Sequence, residues 1–402
     1  MKENKENILV KGYKFRIYPN KTQREYLDKV FGSSRFVYNH FLAKSIKDYE
    51  LYKQNKTLPK PNLNIFSVCK DLILLKNLPE YSWLKEIPTH VLQDSIHRLG
   101  NAYKGFFKNN KGYPKFKKKC NHQSVTFSTF SYSLKDKNFK LAKCKEPFKV
   151  KWSRDLPTES PGPVTVSKTP DGKYYASFMC SYASEKTTGT KFTGIDAGIT
   201  DLATFSDGTS IENPRHYKKL SKQLVKQQRQ LSRKQKGSKN RNKARLNVAK
   251  IHAKIANQRN DYLHKLTTWL VRENQAIAIE RLMIKNMVKN HRLAKHILDA
   301  SWGKMRDYLK YKSIASNHCK LFLADPYFPS TQLCSQCGTR PKEKIKLGVT
   351  RWTCCNCGSM HQRDHNAAKN LEILAISQFK MSEIMGIKDS VILTENYIPF
   401  YQ

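Results

Sequence analysis

A chain of 402 residues has room for two or three domains with sizeable cores. Its 74 Lys and Arg against 32 Asp and Glu give a formal net charge of +42. Such an excess repels itself unless a polyanion is nearby, so nucleic acid is the natural partner, and a ribosome-associated or merely basic protein is the bland alternative. A secreted or membrane protein fits poorly. MKENKENILVKG has no apolar h-region, and no apolar run approaches the ~20 residues that span a bilayer. Six cysteines (Cys69, Cys120, Cys144, Cys180, Cys319 and Cys355) are scattered without a framework, as suits a reducing cytosol.

Residues 8–18 alternate apolar and basic like a strand with one wet face. Pro19-Asn20-Lys21-Thr22 breaks it, with Thr22 as the expected cap of a helix over QREYLDKVFG. A second helical pattern follows in FGSSRFVYNHFLAKSIKDYELYKQ, then two more at about 64–77 and 88–109, together reading as a small helical bundle. Residues 103–119 interleave aromatics with lysines. Lys115 and Lys117 are candidates for phosphate contact, while Tyr103, Phe106, Phe107, Tyr113 and Phe116 either stack on bases or fill a core. From about 123 to 190 short β-like runs alternate with turns, and Thr169-Pro170-Asp171-Gly172 is a hairpin signal. This part reads as an antiparallel barrel or sheet, completed by the N-terminal strand.

After a linker at 186–191, Phe192 to Asp196 reads as a strand, so an acid ends an otherwise apolar run. Asp201 and Asp207 read as turn or edge residues. Residues 213–260 hold many Lys and Arg and no acid. They read as two helices broken at Gly237-Ser238, with Arg233, Lys236, Arg241, Lys243 and Arg245 around the break; facing phosphates is the better reading than a solvated face. AIAIE, 276–280, is a short buried parallel strand ending in Glu280. Residues 281–319 are helical again, and 320–325 form a further strand.

Cys334/Cys337 and Cys354/Cys357 are two Cys-x-x-Cys pairs with sixteen residues between them, each followed by Gly. That is the spacing of a zinc ribbon with four thiolate ligands for one structural Zn²⁺. Cys355 is spare. Seven residues past the last of these cysteines, Asp364 opens an alanine-rich helical pattern. Asp196, Glu280 and Asp364 each end a strand or start a helix. Carboxylates so placed at the head of a mixed sheet can hold two divalent ions, Mg²⁺ or Mn²⁺, for phosphodiester hydrolysis.

These motifs together resemble the TnpB family, transposon-encoded relatives of type V CRISPR effectors. KFRIYPNKTQREYLDKVFGSSRFVYNHFL resembles the family's N-terminal segment, and GYPKFKKK its basic-aromatic entry to the barrel. GIDAGITDLATFSDG resembles the first RuvC motif with Asp196, and AIAIERLMIKNM the second with Glu280. CSQCG…CNCG with HQRDHNAAKNLE resembles the ribbon and third motif with Asp364. Where family members often carry an acid two or three residues before that Asp, this chain has His361 and Gln362.

The resemblance implies an α+β multidomain protein. Its RuvC, RNase H-like α/β nuclease domain spans 191–379, with the zinc ribbon inserted at 330–360. An N-terminal β-barrel comprises 1–18 and 120–190, with a helical recognition insertion at 19–119 and a flexible tail at 380–402. The implied activity is Mg²⁺-dependent, RNA-guided cutting of double-stranded DNA beside a short transposon-associated motif. The guide RNA comes from the transposon end, and the expected location is the cytoplasm, at the nucleoid; the sequence leaves the oligomeric state open, with a monomer favoured. Two rival functions remain: a strand-transfer transposase, which could use the same acids, and a guided DNA-binding repressor without cleavage. A repressor is marked by loss of a triad acid, and all three are present.

Overall fold

The computed structural model describes residues 8–59, 61, 64–183, 188–346 and 348–394. Expectations for 1–7, 186–187 and 395–402 lie outside the described residues. The chain forms two units, one ending at Ala183 and one holding the described residues from Thr188 onward.

The N-terminal unit starts with β1 (Ile8–Tyr18) and the helices α1 (Lys21–Gln54), α2 (Ile65–Asn77) and α3 (Thr89–Lys108). Strands β2 (Gln123–Phe127), β3 (Tyr132–Lys135), β4 (Asn138–Leu141), β5 (Lys149–Lys151), β6 (Val164–Lys168) and β7 (Tyr174–Ala183) follow. β1 alternates as its sequence requires: Phe15 and Ile17 are buried, while Lys14 and Arg16 lie over the ring of Tyr175. The antiparallel order is β2-β6-β7-β1-β5, with β3 and β4 as a separate hairpin. The edges of this sheet are β2 and β5, and no ladder joins them into a closed barrel among the described residues. Gly172 takes φ +80° in the β6–β7 turn, as the hairpin signal requires.

α1 departs from the expected start. Its cap is Asn20, not Thr22: the Asn20 side chain accepts from Gln23 N and the Gln23 side chain accepts from Asn20 N. The two helical patterns also join into one helix of 34 residues. Ser33 and Ser34 are buried inside it, and Ser34 Oγ lies 2.6 Å from Ser95 Oγ of α3. Small side chains there let α1 and α3 approach closely.

The C-terminal unit begins with β8 (Lys191–Asp196), β9 (Asp201–Phe205) and β10 (Ser210–Glu212), then the long helices α4 (His216–Ser232) and α5 (Lys239–Glu273). After β11 (Asn274–Glu280) come α6 (Ile284–Met287), α7 (His291–Ala300), α8 (Trp302–Ser316) and β12 (Lys320–Ala324). β13 (Arg351–Thr353) and β14 (Met360–Gln362) form a hairpin before α9 (Arg363–Ile384) and β15 (Val391–Leu393). The six-stranded sheet runs β10-β9-β8-β11-β12-β15. β8, β9 and β10 are antiparallel; β8, β11, β12 and β15 are parallel.

β11 is apolar on both faces because helices cover both. Ile277 and Ile279 pack with Leu266 and Leu270 of α5, whereas Ala276 and Ala278 pack with Leu371, Leu374 and Ala375 of α9. Alanines on that side let α9 lie close, and Gly194 of β8 lets it closer still: a Cβ there would sit 1.9 Å from Ala368 O. The expected tail differs from 380 to 394. α9 runs to Ile384, and Val391–Leu393 pairs with β12 as the sheet's last strand. The short apolar Val-Ile-Leu run gains ladder partners there that its sequence does not announce.

Candidate active site

Asp196 and Glu280 are the last residues of β8 and β11. These are neighbouring parallel strands in the register Ile195↔Ile279, so the two acids stand side by side. Strand alternation gives Asp196 the face of Gly194, and Glu280 the face of Ala276 and Ala278, which is the α9 face. α9 starts beyond Gln362, whose side chain accepts from His365 N at 2.6 Å. Asp364 thus lies in the first turn, where free amides favour a carboxylate. One turn later, Ala368 is the residue pressed against Gly194.

The electrostatics agree with the geometry. Burial pushes the Asp196 carboxyl well above the usual range, and the carboxylates of Glu280 and Asp364 push it further. Glu280 is raised mainly by burial; Ser330 and Arg363 oppose that, and Asp364 adds to it. Arg363 Nε lies 3.4 Å from Asp364 Oδ1. The carboxylates of Asp196, Glu280 and Asp364 thus lie near enough to raise one another, and each offers hard oxygen donors.

The ribbon cysteines meet as their spacing predicts. The Sγ atoms of Cys334, Cys337, Cys354 and Cys357 all lie within 4.8 Å of one another. The two knuckles repeat one turn: Gly338 N donates to Cys334 O and Gly358 N to Cys354 O, with φ +73° and +68°. Hydrogen bonding from Thr339 pulls the Cys337 thiol down to about 5, and Ser359 lowers Cys357. Burial and the neighbouring thiols hold Cys334 up, at about 12. Four sulfur donors so close suit one Zn²⁺ with no open position. Cys355 is exposed and outside the cluster.

The expected basic residues divide. Lys115 is exposed, but Lys117 Nζ sits 3.9 Å over the Tyr38 ring, and burial pulls its amine down to about 8. Tyr103 is core, whereas Phe107, Tyr113 and Phe116 are exposed. Arg233, Lys236, Lys243 and Arg245 are exposed around the α4–α5 turn. Arg241 is used inside that turn, donating to Leu231 O at 2.9 Å and Lys234 O at 2.8 Å. A groove of about 780 Å³ between α4 and α7 is lined by Lys218, Lys222, Lys226, Arg229, Arg233 and Lys295. The acid on its wall, Asp299, is engaged by Arg259 and by the amides of Tyr217 and Lys218.

Several residues at the site escaped the motif reading. Ser330 donates to Glu280 Oε1 at 2.6 Å across fifty positions. His361 Nε2 lies 3.0 Å from Cys334 Sγ, and its ring is 4.7 Å from that of Trp352. The sole signals were the adjacency of Arg363 to Asp364 and of His361 to the second knuckle.

Comparison with known proteins places these features in a group. A family model described as "Probable transposase" (OrfB of IS605) matches residues 163–291, and a Cas12f1-like TNB domain matches 302–371. A helix-turn-helix model of the same OrfB family matches 9–55, where the structure has β1 followed by the unbroken α1. A Streptomyces pristinaespiralis protein named "Putative RNA-guided DNA endonuclease" is 38% identical over 364 residues, covering 90% of this chain and 88% of that protein. The similarly named InsQ of Escherichia coli (strain K12) is 32% identical over 382 residues, covering 90% and 91%. Among solved structures, the chain from a Cas12f1–sgRNA–target DNA complex aligns with a TM-score of 0.51 at 14% identity, over 88% of this chain and 83% of that one. At that identity the likeness speaks for the fold alone.

Proposed function

This chain belongs to the TnpB family of IS605-type elements, and on that premise we propose that it is an RNA-guided DNA endonuclease whose cutting site is Asp196, Glu280 and Asp364. The observation that carries the reading is the convergence of those acids on one face of a mixed sheet, at adjacent strand ends and the first turn of α9. The strand order and the helices on both faces support an RNase H-like, RuvC-type nuclease unit.

The three carboxylates are the residues that would hold two divalent cations, Mg²⁺ or Mn²⁺. When bound, such ions activate a water and stabilise the leaving oxygen of a phosphodiester. The protein's part is to keep the acids at fixed places. The sheet register sets Asp196 against Glu280, and the close approach at Gly194 sets Asp364. Arg363 and Ser330 offset the repulsion among them. The ribbon takes structural zinc and anchors the segment before α9.

In this reading the guide RNA, from the transposon end, pairs with one strand of target double-stranded DNA. The N-terminal unit, a wedge-like sheet with inserted helices, holds guide and motif DNA. The basic α4–α7 groove, with the exposed cations at the α4–α5 turn and Lys115, meets backbone phosphates. The expected location is the cytoplasm. No helix among the described residues is long and apolar enough to cross a membrane.

Purifying the protein with its RNA, sequencing that RNA and challenging matched and unmatched plasmids tests the proposal. Cutting is expected on the matched plasmid alone, with a divalent cation present, and is lost in Asp196→Ala. Joined ends without RNA identify a strand-transfer enzyme instead. Guided binding without any cut identifies a repressor.

A further inference from the structure

Glu280 is held by more than its strand. Ser330 is 2% exposed, and its hydroxyl donates to Glu280 Oε1 at 2.6 Å. The Ser330 carbonyl in turn accepts from Asn370 Nδ2 at 2.7 Å. The same amide reaches Leu333 O at 2.8 Å, and Asn366 Nδ2 donates to that carbonyl at 2.6 Å. Leu333 directly precedes the ligand Cys334, and beyond it Ser335 N donates to Asn366 Oδ1 at 2.9 Å. Asn366 and Asn370 are fully or nearly fully buried, one turn apart on α9, the helix that begins with Asp364. The segment 330–335 is therefore tied to the ribbon at one end and to α9 along its length, and one of its hydroxyls reaches a triad acid.

We propose that Ser330 is a positioning residue for Glu280, and that Asn366 and Asn370 register it against the ribbon and α9. A glutamate at a strand end has three rotatable bonds, and burial alone does not choose among its orientations. A short hydrogen bond does choose, and it strengthens once a bound cation holds the carboxylate ionised. It fixes Oε1 and leaves Oε2 for a cation. Through α9 the two buried amides also make the positions of Glu280 and Asp364 depend on one another. Ser330 touches Glu280 and not the reacting groups, so its effect passes through the carboxylate. The inference rests on the triad being a divalent-cation site.

The test uses the full-length protein with its guide RNA, as wild type, Ser330→Ala and Ser330→Thr. Mn²⁺ binding is measured by electron paramagnetic resonance and single-turnover cutting is measured alongside, with zinc content, melting temperature and target affinity as controls. Ser330→Ala should weaken Mn²⁺ binding by about 10- to 100-fold and slow cutting comparably, the usual effect of losing a partner that orients a metal ligand. Zinc and target affinity should stay at wild-type levels, melting should fall by a few degrees at most for the lost buried hydrogen bond, and Ser330→Thr, which keeps the hydroxyl, should recover most of the losses in binding and cutting. Wild-type Mn²⁺ affinity in Ser330→Ala overturns the proposal. So does a loss accompanied by missing zinc or weakened target binding, which marks a structural role. A Ser330→Thr protein as impaired as Ser330→Ala overturns it too, including where the alanine variant does not fold. Should the wild type itself neither bind Mn²⁺ nor cut, the nuclease reading fails rather than the role of Ser330.

Discussion

Asp196 and Glu280 end neighbouring parallel strands one residue beyond the Ile195–Ile279 pair, so the register of β8 against β11 is also the register of the two acids. The arrangement costs the folded protein something, because burial and mutual repulsion raise both carboxyls. In the proposed site a bound divalent cation would offset this cost.

That relation predicts opposite effects on activity and stability. Asp196→Ala, Glu280→Ala and Asp364→Ala should each abolish divalent-cation-dependent cutting while leaving guide RNA binding near wild type. Asp196→Asn should also abolish cutting, yet stabilise the cation-free protein by roughly 1 kcal/mol, about 2–4 °C in the melting of a unit this size. Added Mg²⁺ should raise the wild-type melting temperature and not that of Asp196→Asn. Calorimetry with and without Mg²⁺ checks this; an Asp196→Asn protein that melts lower than wild type without Mg²⁺ contradicts the repulsion argument.

Gly194 is where α9 meets β8. Its Cβ position lies 1.9 Å from Ala368 O and 2.4 Å from Glu372 N, both backbone atoms that cannot rotate aside. Gly194→Ala should therefore push α9 off the sheet, costing about 3 kcal/mol as an overpacked core contact, and draw Asp364 away from Asp196. Urea unfolding and cutting assays read the two effects. Wild-type cutting in Gly194→Ala would show that the spacing of α9 does not set the site.

What the sequence disclosed, and what it hid, follows from the range of each interaction. The ribbon was legible because each knuckle closes within five residues and leaves the Cys-x-x-Cys-Gly spacing behind. Asp196 and Glu280 were legible as charges ending apolar strands. Asn20 as the α1 cap was not, because Thr22 two positions on is also a capping type, and the Gln23 side chain decides between them. Lys117 looked like its neighbours in a lysine run, and only packing brings it over Tyr38, 79 positions away. Ser330, Asn366 and Asn370 left no pattern at all: small polar residues carry no periodicity, and their partners lie across the fold.

The zinc cluster should be structural. Metal analysis should find one zinc per chain, held by the four converging thiols. Cys334→Ser should lose that zinc and destabilise the C-terminal unit, because Cys334 is fully buried and its neighbours Leu333 and Ser335 are hydrogen-bonded to α9. Cys355→Ser should keep zinc and melt like wild type, since Cys355 is exposed. A folded, zinc-replete Cys334→Ser protein, or zinc lost from Cys355→Ser, argues for a different ligand set.

The basic residues at the α4–α5 turn make a prediction in two halves. Arg233, Lys236, Lys243 and Arg245 are exposed, while Arg241 closes the turn through two backbone carbonyls. Phosphate contact releases counterions, with a slope of roughly 0.7 per phosphate on single strands and 0.9 on B-form DNA. Replacing the four exposed residues by Ala should flatten the salt dependence of nucleic-acid affinity by up to roughly 3 in slope on single strands and about 4 on B-form DNA. It should weaken binding alike for different guide sequences, and leave melting unchanged. Arg241→Ala should do the reverse, lowering stability by about 1 kcal/mol for the lost hydrogen bonds with a smaller change in slope. Affinities measured across a salt series, with melting curves for the same proteins, separate the two. An unchanged slope in the fourfold variant, or a loss confined to one target sequence, returns these residues to an ordinary solvated face.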